Sequence, residues 1–288
     1  MNDGKPAARP ASGAAVLVTA ASSGIGLACA ARLATLGCTV FGGVRTAAGT
    51  ARLGTIPGVT PVALDVTSED DIEAARGSIA RSLPPGGLVG LVNSAGVMVS
   101  GPLEHVDPVA LRHQLDVNVV GTVAVTRAFL PLLRQAQGRI VNIGSTSGRV
   151  ASAFTGPYCA AKFAMEAITT VWREELRSSR VGVHSVDPGV VSTPLWGKAA
   201  QAEQALSLEL SADGRSLYGE ALARRSDLLQ RLAQRGASAD AVCDAVVHAL
   251  FSSRPKRRYT VGFDARLRIA AARVMSERLR FWMASRVR

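Results

Sequence analysis

Six apolar runs rich in β-branched residues recur along the chain: AAVLVTA at 14–20, TVFGGV at 39–44, TPVALDV at 60–66, GLVGLVN at 87–93, GRIVNIG at 138–144 and VGVHSV at 181–186. They are apolar almost throughout rather than alternately, which fits strands covered on both faces. Segments with helical spacing separate them, at roughly 24–36, 68–82, 107–136 (long enough to be broken) and 157–179. Parallel neighbours need crossover connections, and those are right-handed, so the alternation implies one doubly wound α/β domain with helices on both faces of a parallel sheet.

The rhythm changes after Thr193. Residues 194–235 are polar and helix-prone without a clear strand, followed by a helix near 238–252 and a short strand RYTVG at 258–262. An excursion on the carboxyl-end side of the sheet is placed to cover a ligand, although a surface excursion with no such contact would read the same way. The expected organisation is a loose tail over 1–13, a single domain over 14–263 with a lid at about 194–235, and a basic carboxyl-terminal helix over 264–288.

With 288 residues, 48% of them hydrophobic, the chain can bury a full core. Cys29, Cys38, Cys159 and Cys243 stand far apart with no CxxC pair, so neither a metal site nor a disulfide framework is expected, and a reducing cytoplasm is the default setting. No apolar run reaches the ~18 residues of a spanning helix, and the start MNDGKPAARPASG lacks a signal-peptide core. The net charge of +11 would suggest an anionic partner, but nine of the eleven surplus charges fall in residues 254–288. That leaves the body nearly neutral and gives no motif for specific nucleic-acid reading.

The first run ends in VTAASSGIG, Val18 to Gly26. A strand, a short glycine-containing turn and a helix aim backbone N–H groups and the positive end of a helix dipole at one place, which suits a pyrophosphate. Two glycines spaced G-x-G also suit a plain turn. Asp65 at the end of the third run and Asn93-Ser94-Ala95-Gly96 at the end of the fourth tip the balance, because carboxyl ends of successive parallel strands converge on one crevice. At the end of the second strand, Val44, Arg45 and Thr46 stand where an acidic residue would bind a ribose 2′-OH. Arg45 offers a planar fork of donors to a phosphate, which favours NADP(H), with NAD(H) as the alternative.

Tyr158 and Lys162, four apart at the start of a helix, share one face about a turn from each other. A phenol with a pKa of about 10 is a poor base near neutrality, and a nearby ammonium would lower that value. The pair is suited to moving a proton at a carbonyl or alcohol oxygen, and Ser145 at the end of the fifth strand is placed to hydrogen-bond that oxygen.

In these motifs and their order, residues 14 to about 195 resemble the short-chain dehydrogenase/reductase family, with its Rossmann-type sheet. The glycine motif is similar to Thr19, Ala20, Ser22, Ser23, Gly24, Ile25 and Gly26; the adenine-side acid to Asp65 with Val66; the sheet motif to Asn93-Ser94-Ala95-Gly96. The family's catalytic residues fall on Asn118, Ser145, Tyr158 and Lys162, and its post-strand motif on Pro188, Gly189, Val191 and Thr193. The resemblance implies hydride transfer between a nicotinamide and an alcohol or ketone carbon without a metal. Tyr158 would exchange the proton, Lys162 lower its pKa and hold the nicotinamide ribose, Ser145 orient the substrate oxygen, and Asn118 keep a water linked to Lys162. Ala20 and Ser94 depart from the family pattern, in which glycine and asparagine stand. A left-handed conformation at Ala20 would cost about 1 kcal/mol.

The segment RPKRRYTVG and the basic helix after it resemble, more loosely, family members acting on steroids and retinoids, so a hydrophobic secondary alcohol or ketone is the expected substrate. Leu195, Trp196, Leu206, Leu208, Leu210 and Leu217 are candidates to line its pocket. In the final helix Leu267, Ala271, Met275, Leu279 and Trp282 form one stripe, with Arg266, Arg273, Glu277 and Arg280 opposite. Docking on the fold or a subunit contact is favoured there over peripheral contact with an anionic membrane. Relatives imply a homodimer or homotetramer. A non-catalytic dinucleotide sensor on the same fold is the alternative function.

Overall fold

The computed structural model describes residues 12–235, 237–275 and 278. Strands β1 (Ala15–Val18), β2 (Thr39–Val44), β3 (Val59–Ala63), β4 (Leu88–Asn93), β5 (Arg139–Ile143), β6 (Gly182–Pro188) and β7 (Arg258–Val261) form one sheet in the order β3-β2-β1-β4-β5-β6-β7. Every pairing is parallel. The chain winds outward in one direction from β1 to β3 and in the other from β4 to β7, so the crevice belongs between the carboxyl ends of β1 and β4. This is the doubly wound Rossmann-type architecture that the alternation implies.

The helices are α1 (Gly24–Thr35), α2 (Ala47–Gly54), α3 (Glu69–Ser82), α4 (Pro108–Leu115), α5 (Gly121–Gln135), α6 (Gly156–Glu175), α7 (Pro194–Glu209), α8 (Ala212–Arg235), α9 (Asp240–Phe251) and α10 (Phe263–Val274). Local chemistry starts several of them. Ser68 caps α3 by accepting from Asp71 N at 3.2 Å, ahead of three acidic residues in the first turn. Asp107 caps α4, with Pro108 at its start.

One face of the sheet packs Val16, Val18 and Val141 against α1 and α9 through Leu33 and Val246. The other packs Leu17, Leu91 and Ile140 against α3 and α5 through Ile79 and Phe129. A smaller cluster of Met98, Tyr158, Ala199, Ala200 and Leu229 lies beneath α7 and α8.

Three features differ from the sequence expectations. Helix α2 was not anticipated: it is eight residues long and presents only Gly49 and Leu53 to the interior, too little pattern to register. The helical stretch Pro108–Gln135 is, by length and composition, apolar enough to cross a membrane. Its Val117, Val125, Phe129 and Leu133 belong instead to the core beneath the sheet, which explains the apolarity.

The stripe expected to face inward on the last helix is also rotated. Ala265 and Ile269 are buried while Leu267 is 60% exposed. Arg268, donating to the Val150 carbonyl, and Asp264, accepting from Val190 N at 3.2 Å, fix that rotation. Leu279, Trp282, Glu277 and Arg280 lie outside the described residues, as does most of the 1–13 tail.

Candidate active site

The turn between β1 and α1 is built on backbone contact. A Cβ on Gly26 would stand 2.4 Å from the Ala20 carbonyl oxygen, so only glycine lets helix and strand end approach this closely. Gly24 has φ +55° and Ala20 has φ +50°. The alanine therefore occupies the left-handed region that costs an L-residue about 1 kcal/mol.

Ser23 is extended and its side chain makes no capping bond, and the first turn of α1 carries no acidic residue. The N–H groups and dipole of that turn are thus left to the cleft, the arrangement a phosphate requires. Thr193, starting α7, packs within 3.5 Å of where a Gly24 side chain would stand, closing the turn from the lid side.

Two residues expected at the cofactor stand behind the wall of the cleft. Thr19 is buried, its hydroxyl accepting from Ser94 N at 2.9 Å and Ala95 N at 3.0 Å, which ties the ends of β1 and β4 together. Asn93 turns its amide into the core, donating to Thr126 Oγ1 at 3.0 Å and Asn142 Oδ1 at 2.9 Å. A strand residue alternates faces, and the polar set on the inner face claims this one. The other expected cofactor residues, Ala20, Ser22 to Gly26, Arg45, Asp65, Val66, Ser94 to Gly96, Pro188, Gly189, Val191 and Thr193, do line one cleft of about 520 Å³.

At the far end of that cleft Arg45 Nη1 lies 3.5 Å from Asp65 Oδ2. Burial pushes the Asp65 carboxyl up, but hydrogen bonds from Thr67 and the Arg45 guanidinium more than reverse this and hold it below the usual range. Arg52, from the unanticipated α2, reaches back to donate to the Ser22 carbonyl at 3.1 Å and lines the same end. The sequence signal for it was only a second arginine seven residues beyond Arg45.

At the chemical end Ser145, Tyr158 and Lys162 line the cleft together, with Met98, Leu195 and Trp196 beside them. Ser145 is fixed by accepting from Ser147 N at 3.1 Å, and it hydrogen-bonds Tyr158. The Lys162 amine donates to the Ile143 carbonyl at 2.8 Å and lies 5.8 Å from the centre of the Tyr158 ring.

Lys162 is not among the groups that shift the Tyr158 phenol in this structure. Burial pushes Tyr158 up to about 12, the Ser145 hydrogen bond opposing only in part. Lys162 is itself brought down to about 8 by burial, with Asp187 opposing. Both groups lose water, and for each of them desolvation is the largest cause of the shift.

Asn118 sits in a single π-helical turn, Asp116–Val120, between α4 and α5. The extra residue in that turn re-aims its side chain, a recurrent device at functional sites. It accepts from Val97 N at 2.8 Å and donates to the Val97 carbonyl at 2.9 Å, clamping the segment after β4 rather than lining the cleft. The π turn was not readable, because apolar spacing continues through it.

The segment expected to be a lid begins where Trp196 Nε1 donates to the Val191 carbonyl at 2.8 Å, and beyond α8 a bridge joins Val191 to Ala237. Of the leucines expected to line a pocket, Leu195 does so. Leu208 and Leu217 are exposed, because α7 and α8 pack mainly on each other.

Comparison with known proteins places the chain in a family. A family profile described as short chain dehydrogenase matches residues 14–204. A 3-amino-tetrahydro-pyrrolizinone reductase of Xenorhabdus hominickii is 42% identical over 183 residues, 64% of this chain and 63% of that protein, so the chain spans less than two thirds of that relative. Retinol dehydrogenase 16 of Mus musculus is 36% identical over 259 residues, 88% of this chain and 81% of that one. A solved short chain dehydrogenase from Burkholderia cenocepacia, in complex with NADP, is similar with a TM-score of 0.70 and 26% identity over 94% of this chain and 96% of that one. With about two thirds of its length under the profile and a relative 36% identical over 88% of it, the chain belongs to the short-chain dehydrogenase family of nicotinamide-dependent oxidoreductases.

Proposed function

We propose that the chain is an NADP(H)-dependent oxidoreductase interconverting a hydrophobic ketone and its secondary alcohol. The observation that carries this reading is the convergence of Ser145, Tyr158 and Lys162 on one wall of the cleft that begins at the open end of α1. A bound nicotinamide would supply or accept the hydride. Tyr158, protonated across the physiological range, is then the proton donor to a substrate oxygen that Ser145 orients, and Lys162 supports the charge left on the phenol.

The preference for NADP(H) rests on Arg45 and Arg52 at the adenine end, with no acidic residue closing β2. Arg45 is 55% exposed and held only by a long contact to Asp65, so it is available to a 2′-phosphate. The hydrophobic substrate rests on Met98, Leu195 and Trp196 at the chemical end, beneath the α7–α8 lid, and on the retinol named in one relative.

Fluorescence titration with NADPH and NADH tests the cofactor, followed by a screen of ketones and alcohols with the tighter one. NADPH binds more tightly on this account, and Arg45→Ala weakens it by about ten-fold or more while leaving NADH nearly unchanged, as expected for one lost charge-assisted bond. Tighter NADH binding by the unmodified protein would overturn the assignment.

A further inference from the structure

Behind the catalytic pair lies a carboxylate that the proton transfer described above does not use. Asp187, one residue before the end of β6, is 1% exposed. Strand β5 makes room for it: a Cβ on Gly144 would stand 2.1 Å from Asp187 Oδ1, so the carboxylate fills the space a side chain at 144 would take. The two strand ends are held together there by Gly144 N, which donates to the Val186 carbonyl at 2.8 Å.

Asp187 Oδ2 makes no hydrogen bond and has Arg258 Nε 3.5 Å away. Arg258 is at the same time engaged by Glu166 of α6, one turn beyond Lys162. A buried carboxylate short of hydrogen bonds is destabilising, and packing alone would be served as well by a neutral side chain of the same shape. The Lys162 amine donates to the Ile143 carbonyl, one residue before the Gly144 that the carboxylate abuts, and the charges of Lys162, Arg149, Arg173 and Arg258 all act on that carboxylate. Asp264 of α10 lies just past the strand end, against Gly189.

We propose that Asp187 is a positioning residue for the reaction: its buried carboxylate keeps the Lys162 amine charged, and Arg258, shared with Glu166, sets how much of that field the lysine feels. The inference rests on Tyr158 and Lys162 being the proton-transfer pair. Burial lowers the amine to about 8 and Asp187 opposes that fall. Burial raises the carboxyl to about 6, against Arg149, Lys162 and Arg173. Between those values both members are charged. Removing the carboxylate takes the amine lower still, and removing the competing guanidinium takes it higher.

Few lysines occur in the chain, namely Lys5, Lys162, Lys198 and Lys256, so the amine can be followed directly. In the full chain saturated with NADP+, lysine labelled with carbon-13 at the ε position gives the midpoint of Lys162 by NMR, assigned with Lys162→Met. Asp187→Asn moves that midpoint to lower pH by about one unit or more, the effect of losing one opposite charge from a buried site. Arg258→Gln moves it to higher pH, and the alkaline limb of ketone reduction by NADPH follows in the same two directions. Should Asp187→Asn not fold, Arg258→Gln carries the test alone.

A midpoint that stays at the wild-type value in the variants that fold overturns the role of Asp187, as does a shift of either variant in the opposite sense. Turnover surviving in Tyr158→Phe defeats the proposed function instead, and leaves the titration of Lys162 to be read separately.

Discussion

Ala20 holds a conformation its side chain disfavours, at the turn where the phosphate-binding N–H groups are presented. The left-handed region costs an L-residue about 1–2 kcal/mol, while the extra freedom of an unfolded glycine returns roughly 0.5–1 kcal/mol of that. Ala20→Gly is therefore expected to stabilise the protein by about 0.5 kcal/mol in urea denaturation, a modest gain because the two effects oppose each other. A loss of stability would mean that the backbone at 20 is not left-handed. The letters showed that residue 20 departs from the family's glycine; they did not show its φ. Tyr158, Lys162 and Ser145 were legible because helix spacing and strand ends fix where such side chains go. Their ionisation was not, since it depends on how much water the fold removes.

Among the elements, strands announced themselves through continuous β-branched runs, and α1, α3 and α6 through long apolar spacing. Helix α2 and the π turn escaped, the first for want of length and the second because it is only five residues long inside a longer helical stretch. The α7–α8 hairpin shows how a polar stretch is held together. Glu203 of α7, fully buried, accepts from Arg225 Nε of α8 at 2.7 Å, and its second oxygen makes no hydrogen bond. Removing the arginine strands that carboxylate, an event that typically costs 3–5 kcal/mol. Arg225→Met should accordingly loosen the hairpin, raising hydrogen exchange across 194–235 and KM for the substrate more than dinucleotide affinity. Unchanged exchange in that segment would show that the pair does not hold the lid.

At the scale of the whole molecule, the sheet order puts the β1 and β4 ends side by side, and the site draws on residues from Ala20 to Lys198 that meet only there. Burial that suits the chemistry works against stability. Lys162 titrates near 8 when folded against about 10.5 when unfolded, so between those values the folded chain has fewer protons bound and gains stability as pH rises. Wild type is therefore expected to gain stability relative to Lys162→Met between pH 8 and 10.5, measured by thermal unfolding of both; a difference independent of pH would place the amine in water. The central claim is narrower: the Tyr158 hydroxyl gives its proton to the substrate oxygen. Its most direct test is turnover by Tyr158→Phe at saturating NADPH, beside a fluorescence titration of the same variant with the nucleotide. Turnover lost by about a hundred-fold or more, the range of general acid catalysis, with nucleotide affinity within a few-fold of wild type, is the predicted result; turnover kept at the wild-type rate would contradict it.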